Sequence, residues 1–253
     1  MKTVKAFFKK YWMTICIFAG LFLLYYFMTA TGRANPFLFP SVESIAKVFA
    51  EHKETMGMNL VSSFKLMIPS IFLSATVALA LGTLLGMNEK LREALHPVIY
   101  TFSVVPAILL SPFVLLLSPN FYVASIFLIV YSTTWGTLFA TITGIQTIDK
   151  RYLDKAATLE LKGLERFFRV ILPAASPSIL GGFVNSLRNT FIMLVYAEMY
   201  GAKYGMGFFV KKYSEFGIYQ NVWAGFLFMV VVLVIVMTFF EKLKKHLLKW
   251  TIN

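Results

Sequence analysis

Six apolar runs, at about 12–30, 64–86, 97–117, 122–145, 173–198 and 222–240, limit what this chain can become. At about 1.5 Å per residue each can cross a hydrocarbon layer roughly 30 Å thick. Backbone placed in lipid must satisfy its own hydrogen bonds, so runs of this length are helices. The chain is 58% hydrophobic and only 14% charged, against about 25% charged in soluble domains. The reading is an all-α, polytopic membrane protein in which residues 1–253 form a single six-span domain, with lipid as its main surroundings. Lys2, Lys5, Lys9 and Lys10 precede the first run, as in a secretory leader. Its length and its bulky end, Leu23, Leu24, Tyr25, Tyr26 and Phe27, mark it as a retained span.

Other function classes fall away on residue content. A net charge of +12 suits nucleic acid, but the basic residues flank apolar runs instead of forming an aromatic-interleaved stripe, so no nucleic-acid partner is expected. Cys16 is the one cysteine, and His52, His96 and His246 are scattered. No metal site and no catalytic set is therefore expected, and the chain reads as a non-enzyme.

Between the runs the pattern is informative. The stretch SVESIAKVFAEH offers Ser41 as a cap, with Ile45, Val48 and Phe49 on one face, and is expected to lie along the outer membrane surface. In the second run, Ser74, Ala75, Ala78, Gly82 and Gly86 suit close backbone approach. The polar turn from Asn88 to Glu93 leads to a third run that Pro106 and Pro112 are expected to interrupt. Thr133, Thr134 and Trp135 sit mid-run in the fourth, where hydroxyls either bond their own helix or line a polar pathway. Arg188 lies deep in the fifth run with Asn185 and Asn189 nearby. A charge there costs at least about 2.5 kcal/mol, so it either faces an anionic solute or clamps a neighbouring helix.

Six spans put both termini on one side. Sixteen of the 24 Lys and Arg residues then share that side and six lie opposite, which places both ends and the loop after the fourth run in the cytoplasm.

That loop, Asp149 to Pro173, is a charged island: ten of the residues from Asp149 to Arg169 carry charge. Leu153, Ala157, Leu161, Leu164 and Phe168 recur at helical spacing as one face, with Thr147 or Asp149 as cap. The segment resembles the EAA loop of bacterial ABC importer permeases, E-A-A, three residues, G, nine residues, I-x-L-P. Counted back from Leu172 and Pro173, the acidic residue is Asp154, followed by Lys155 and then Ala156 at the second alanine, with Val170 at the isoleucine. The glycine position holds Glu160 and the nearest glycine is Gly163, so the bend is expected to be shifted or altered.

A second stretch, AEMYGAKYGMGFFV from Ala197, carries Glu198 and resembles the end of the fifth span in nitrate, sulfonate and taurine permeases. Gly201, Gly205 and Gly207 allow tight turns before an outer helix carrying Lys211, Lys212 and Tyr213.

The resemblance implies the permease subunit of a type I ABC importer in a bacterial inner membrane. It implies a second copy of the chain, two ATPase subunits and an extracytoplasmic solute-binding protein. The loop at 149–172 would be the coupling helix, with Leu153, Asp154, Lys155, Ala156, Ala157, Glu160, Leu161, Gly163 and Leu164 touching the ATPase. Thr133, Thr134, Trp135, Asn185, Arg188 and Glu198 would border the solute pathway. The solute would be a small anion of the nitrate, sulfonate or taurine kind, or a heterocycle such as a thiamine precursor or riboflavin. No G-x-x-x-x-G-K-[ST] sequence occurs, so ATP and Mg would be held by the partner subunit. The competing reading is a secondary carrier or channel, which needs no ATPase but more often shows further spans or inverted repeats.

Overall fold

The computed structural model describes residues 2–251, and the side chains of Lys2, Lys5 and Lys10 lie outside the described residues. Among the described residues every regular element is helical. They are α1 (Lys2–Ala30), α2 (Val42–Glu51), α3 (Lys53–Met87), α4 (Glu89–Val104), α5 (Ala107–Leu117), α6 (Phe121–Gln146), α7 (Lys150–Thr158), α8 (Gly163–Arg166), a π segment (Phe167–Ile171), α9 (Leu172–Gly201), α10 (Met206–Glu215), α11 (Tyr219–Leu247) and a 3-10 turn (Lys249–Thr251). Five stretches are long and apolar enough to cross a membrane: Tyr11–Ala30, α3, Gly163–Gly201, α6 and α11. Helices α4 and α5, bent by 89° at their junction, pass the same test only as a pair and make a sixth where the pair counts as one broken span.

Three boundaries differ from expectation. Asn88 accepts from the Leu91 N–H at 3.1 Å and so caps α4 directly, which shrinks the polar turn to one residue and leaves Pro97 inside the helix. The chain breaks at Pro106, whereas Pro112 rides within α5. Helix α3 begins at Lys53, well before the apolar run, because its first turns are polar and the run marks only the oily portion.

Internal packing divides the chain into two units, Met1–Met56 with Phe209–Phe228, and Gly57–Phe208 with Met229–Asn253. In the first, Ser41 caps α2 and Ile45, Val48 and Ala224 are buried together against Tyr25, Phe49 and Trp223. The apolar face of α2 thus packs on protein. Two aromatic donors serve the irregular stretch beside it: Tyr25 Oη donates to the Pro40 carbonyl at 2.7 Å, and Trp223 Nε1 to that of Leu38 at 2.9 Å.

In the second unit α6 and α9 form the principal seam. Glycine and hydroxyl residues face each other across it. A Cβ on Gly144 would stand 2.8 Å from that of Ser178, and Gly182 leaves the same kind of space for Ala140. Thr133 and Thr190 share a hydroxyl bond of 2.9 Å, Thr137 donates to Ser186 at 3.2 Å, and Ser178 donates to the Ala140 carbonyl at 2.8 Å. Apolar burial draws on α3, α5, α6 and α9 through Leu66, Met67, Ala107, Leu128, Ile129, Met193 and Leu194. Water-poor surroundings offer such hydroxyls few other partners, so the helices are held by packing together with these bonds.

Candidate functional site

The charged loop folds as a self-contained turn of two helices. Asp149 opens α7, its carboxylate accepting from the Arg151 N–H at 2.9 Å and pairing with the Arg151 guanidinium at 2.6 Å. These hydrogen bonds hold the Asp149 carboxyl down at about 2, so it caps the helix as an anion. At the other end the Glu160 N–H bonds the Ala157 carbonyl at 2.9 Å and the Leu161 N–H reaches back to Ala156 at 3.0 Å. That pair of bonds is a Schellman closure with its left-handed residue at Glu160, φ 53°. The bend is therefore not displaced: Glu160 adopts the conformation in which a glycine would be unstrained, and Gly163, also at φ 53°, starts α8.

The break alters which residues share a face. The stripe of Leu153, Ala157, Leu161, Leu164 and Phe168 presupposes an unbroken helix and does not form. Ala156 is buried, with Leu153 and Leu161 half-buried, as α7 lies on the π segment. Asp154, Lys155, Ala157, Glu160, Gly163 and Leu164 are exposed. Tyr152, Leu159 and Phe168, with Leu164, leave an apolar surface facing outward; Leu164 is 76% exposed and Leu159 70%. Leu159 and Tyr152 escape a periodicity argument because they lie off the continuous stripe.

A second feature opens at the break between α4 and α5. A recess of about 290 Å³ is lined by Ser103, Val104, Val105 and Pro106 from the break, Tyr131, Ser132 and Trp135 from α6, and Asn189 and Ile192 from α9. Tyr131 donates to the Phe102 carbonyl and meets Trp135 edge to face at 5.4 Å. The Trp135 indole N–H is buried without a partner.

Of the six residues singled out for a pathway, Trp135 alone lines this recess. Asn185 and Arg188 are exposed on α9, one turn or less from Asn189. Thr133 and Thr134 are buried, Thr133 in the seam and Thr134 bonded to the Val130 carbonyl at 2.7 Å. Their hydroxyls serve helices, which corrects the pathway assignment for both. Asn189 and Ser132, present in the sequence as neighbours of the named residues, reach the recess, as does Ser103 from the break.

Glu198 is also not on an open surface; it is 2% exposed. Its Oε2 accepts from the Gly207 N–H at 2.8 Å. Immediately before it, the Gly205 N–H donates to Asn59 Oδ1 at 2.9 Å and the Met206 N–H to Ser63 Oγ at 3.0 Å. Three successive amides entering α10 thus have three side-chain acceptors, two of them on α3. Asn59 and Ser63, one helical turn apart, were not separable in the sequence from ordinary polar residues of a helix start. Gly205, at φ 128°, is required by conformation and by contact, and Gly207 by contact alone, since a Cβ on either would press on the Glu198 side chain.

Comparison with known proteins agrees with this picture. The family model for a binding-protein-dependent transport system inner membrane component matches residues 77–252. A putative aliphatic sulfonates transport permease protein from Bacillus subtilis is 28% identical over 222 residues, covering 87% of this chain and 80% of the relative. A nitrate import permease protein from Leptolyngbya laminosa is 31% identical over 138 residues, covering 54% of this chain and 50% of that one. A chain of the MetNI methionine ABC transporter, solved in inward facing conformations, superposes with a TM-score of 0.66 at 15% identity, over 78% of this chain and 98% of that chain.

Proposed function

The chain belongs to the binding-protein-dependent transport system inner membrane component family and is the membrane-spanning permease subunit of an ABC importer, and on that premise we propose that it passes a small anion between two copies of itself. The observation that carries the anion reading is Arg188, exposed on α9 beside Asn185 and Asn189 and adjacent in sequence to the recess wall. An exposed guanidinium at that depth lowers the cost of bringing a sulfonate or nitrate into low dielectric, and amides and hydroxyls can take over its hydration shell. The sulfonate and nitrate relatives support the same class. A planar heterocycle is the second reading, favoured by the Tyr131 and Trp135 rings at the recess.

In this proposal α7 and the turn at Glu160 dock on an ATPase subunit that holds ATP and Mg, two such subunits serving two copies. The apolar surface of Tyr152, Leu159 and Leu164 supplies contact area, and Asp154, Lys155 and Glu160 the polar rim. Closure of the ATPase pair pushes the loops and rocks the bundles between access to either side. A solute-binding protein delivers the anion outside, and both termini and the loop face the cytoplasm of a bacterial inner membrane.

The decisive experiment is uptake into vesicles holding the assembled importer and its binding protein. Nitrate or short alkanesulfonates should be taken up, and Arg188→Gln should lower uptake by about tenfold, the scale of one charge-assisted contact. A preference for a neutral heterocycle, unchanged in Arg188→Gln, would shift the assignment to the aromatic reading. Ala157→Arg, on the exposed side of α7, should leave the chain folded while ATP hydrolysis no longer drives uptake; normal uptake would defeat the docking assignment.

A further inference from the structure

Where α6 ends, the structure carries a polar junction that none of the roles above uses. Arg92, in the first turn of α4, reaches the last residue of α6. With the Gln146 amide oxygen turned towards it, the guanidinium donates through Nε at 2.9 Å, Nη2 at 3.1 Å and Nη1 at 3.2 Å. Nη1 also donates to the Leu85 carbonyl of α3 at 3.3 Å, and Glu89 of its own helix stands 3.7 Å away.

The carbonyls near the ends of α3 and α6 are unpaired within their helices and carry the negative pole of each dipole. Neither helix has a basic residue in its own last turn. Arg92 supplies that cation to both from a third helix. A planar fork with several donors suits this task, whereas an ammonium would bind as a single point.

The surroundings leave little slack. A Cβ on Gly82 would stand 2.6 Å from that of Thr141, and one on Gly86 3.0 Å from that of Ile145, so α6 side chains already press on the α3 backbone beside the junction. Leu91, next to Arg92, packs on the cluster of Ala78, Leu85, Leu138 and Ile142. Beyond Gln146 come Thr147 and Ile148 and then Asp149, the cap of α7. At its far end α4 runs into the Pro106 break and the recess. Helix α4 is thus a strut with Arg92 at one end and the recess wall at the other.

We propose that Arg92 is a positioning residue that fastens α4 to the end of α6, so that a push on α7 moves the wall of the recess instead of letting α6 slide past α4. The inference rests on the docking role given to α7. When α7 is displaced, Gln146 moves with it, the guanidinium carries the movement to α4, and the 89° bend at Pro106 turns with the strut.

The test uses the full importer, with its ATPase and binding protein, in vesicles. Arg92→Gln and Gln146→Leu should leave ATP hydrolysis within about twofold of the parent while uptake per ATP falls by about tenfold, within the range that coupling residues reach. The exchanged pair, Arg92→Gln with Gln146→Arg, should recover at least half of the lost uptake, because it restores a guanidinium and an amide across the same gap. Spin labels on α4 and α7 should keep one separation through the ATP cycle in the parent and show two in Arg92→Gln. Parental uptake per ATP in both single variants would overturn the inference, as would an exchanged pair no better than either. Variants that merely lower thermal stability, with uptake per assembled complex unchanged, would overturn it too. An importer in which Ala157→Arg is harmless removes the docking premise, an outcome distinct from coupled Arg92 variants on an intact dock.

Discussion

Two glutamates mark two bends in this chain, and they work in opposite ways. Glu160 is exposed and contributes its backbone, taking φ 53° so that α7 closes on itself. Glu198 is buried and contributes its side chain, accepting from the Gly207 N–H while Asn59 and Ser63 take the two amides before it. The exposed bend finds its hydrogen bonds within six residues; the buried one draws on α3, far away in sequence. A locally closed bend can move as a body without breaking its bonds, which suits a docking element. A bend tied from several elements is fixed in place, which suits the entry to α10.

The contrast should first show in substitution at the buried bend. Gly205→Ala would bring a Cβ onto the Glu198 carboxylate at a φ of 128°. A cost on the order of 3 kcal/mol is expected from overpacking and backbone strain together, read as a fall in thermal unfolding temperature in detergent. Next is Glu198→Ala, which strands a buried N–H and should cost about 1–3 kcal/mol, with Glu198→Gln retaining an acceptor and losing less. If Glu198→Ala unfolds at the parental temperature, the carboxylate does not hold the turn. At the exposed bend the sign reverses. Glu160→Gly should relieve about 1 kcal/mol of left-handed strain and slow amide exchange in α7. Smallest is the acid response of the α7 cap. The Asp149 carboxyl lies below its unfolded value, so its contribution is complete above that value and disappears only as pH falls through about 2. Amide exchange in α7 should therefore show no cap transition between pH 5 and pH 8.

Much of this was legible in the sequence because lipid-crossing helices leave a coarse signal. Five of the six apolar runs fall within single helices and the third is split between α4 and α5, Asp149 of the two candidate caps opens α7, and α10 carries Lys211, Lys212 and Tyr213 as expected. What was not legible depends on which way a face turns. Thr133 and Trp135 are two positions apart, yet one is sealed in the α6 and α9 seam and the other lines the recess. Spacing cannot assign those faces until the partner helices are known. Pro106 and Pro112 look alike in sequence, and only at Pro106 does the helix give way. The Glu160 bend misled for another reason: closure by backbone bonds at Ala156 and Ala157 overrides the preference for glycine.

The π segment between α8 and α9 sets an angular phase. Pro173 has no N–H, so the Arg169 carbonyl cannot receive the usual bond, and the chain winds wide, with the Leu172 N–H reaching the Phe167 carbonyl instead. One surplus residue in that winding turns everything downstream by about 100°, the angle of a single step at 3.6 residues per turn. Deleting one residue from Phe167–Ile171 would rewind the segment and swing Asn185, Arg188 and Asn189 about a quarter turn around the axis of α9. The azimuth at which α9 presents Arg188 is thus indexed by a single residue of the segment that precedes Leu172.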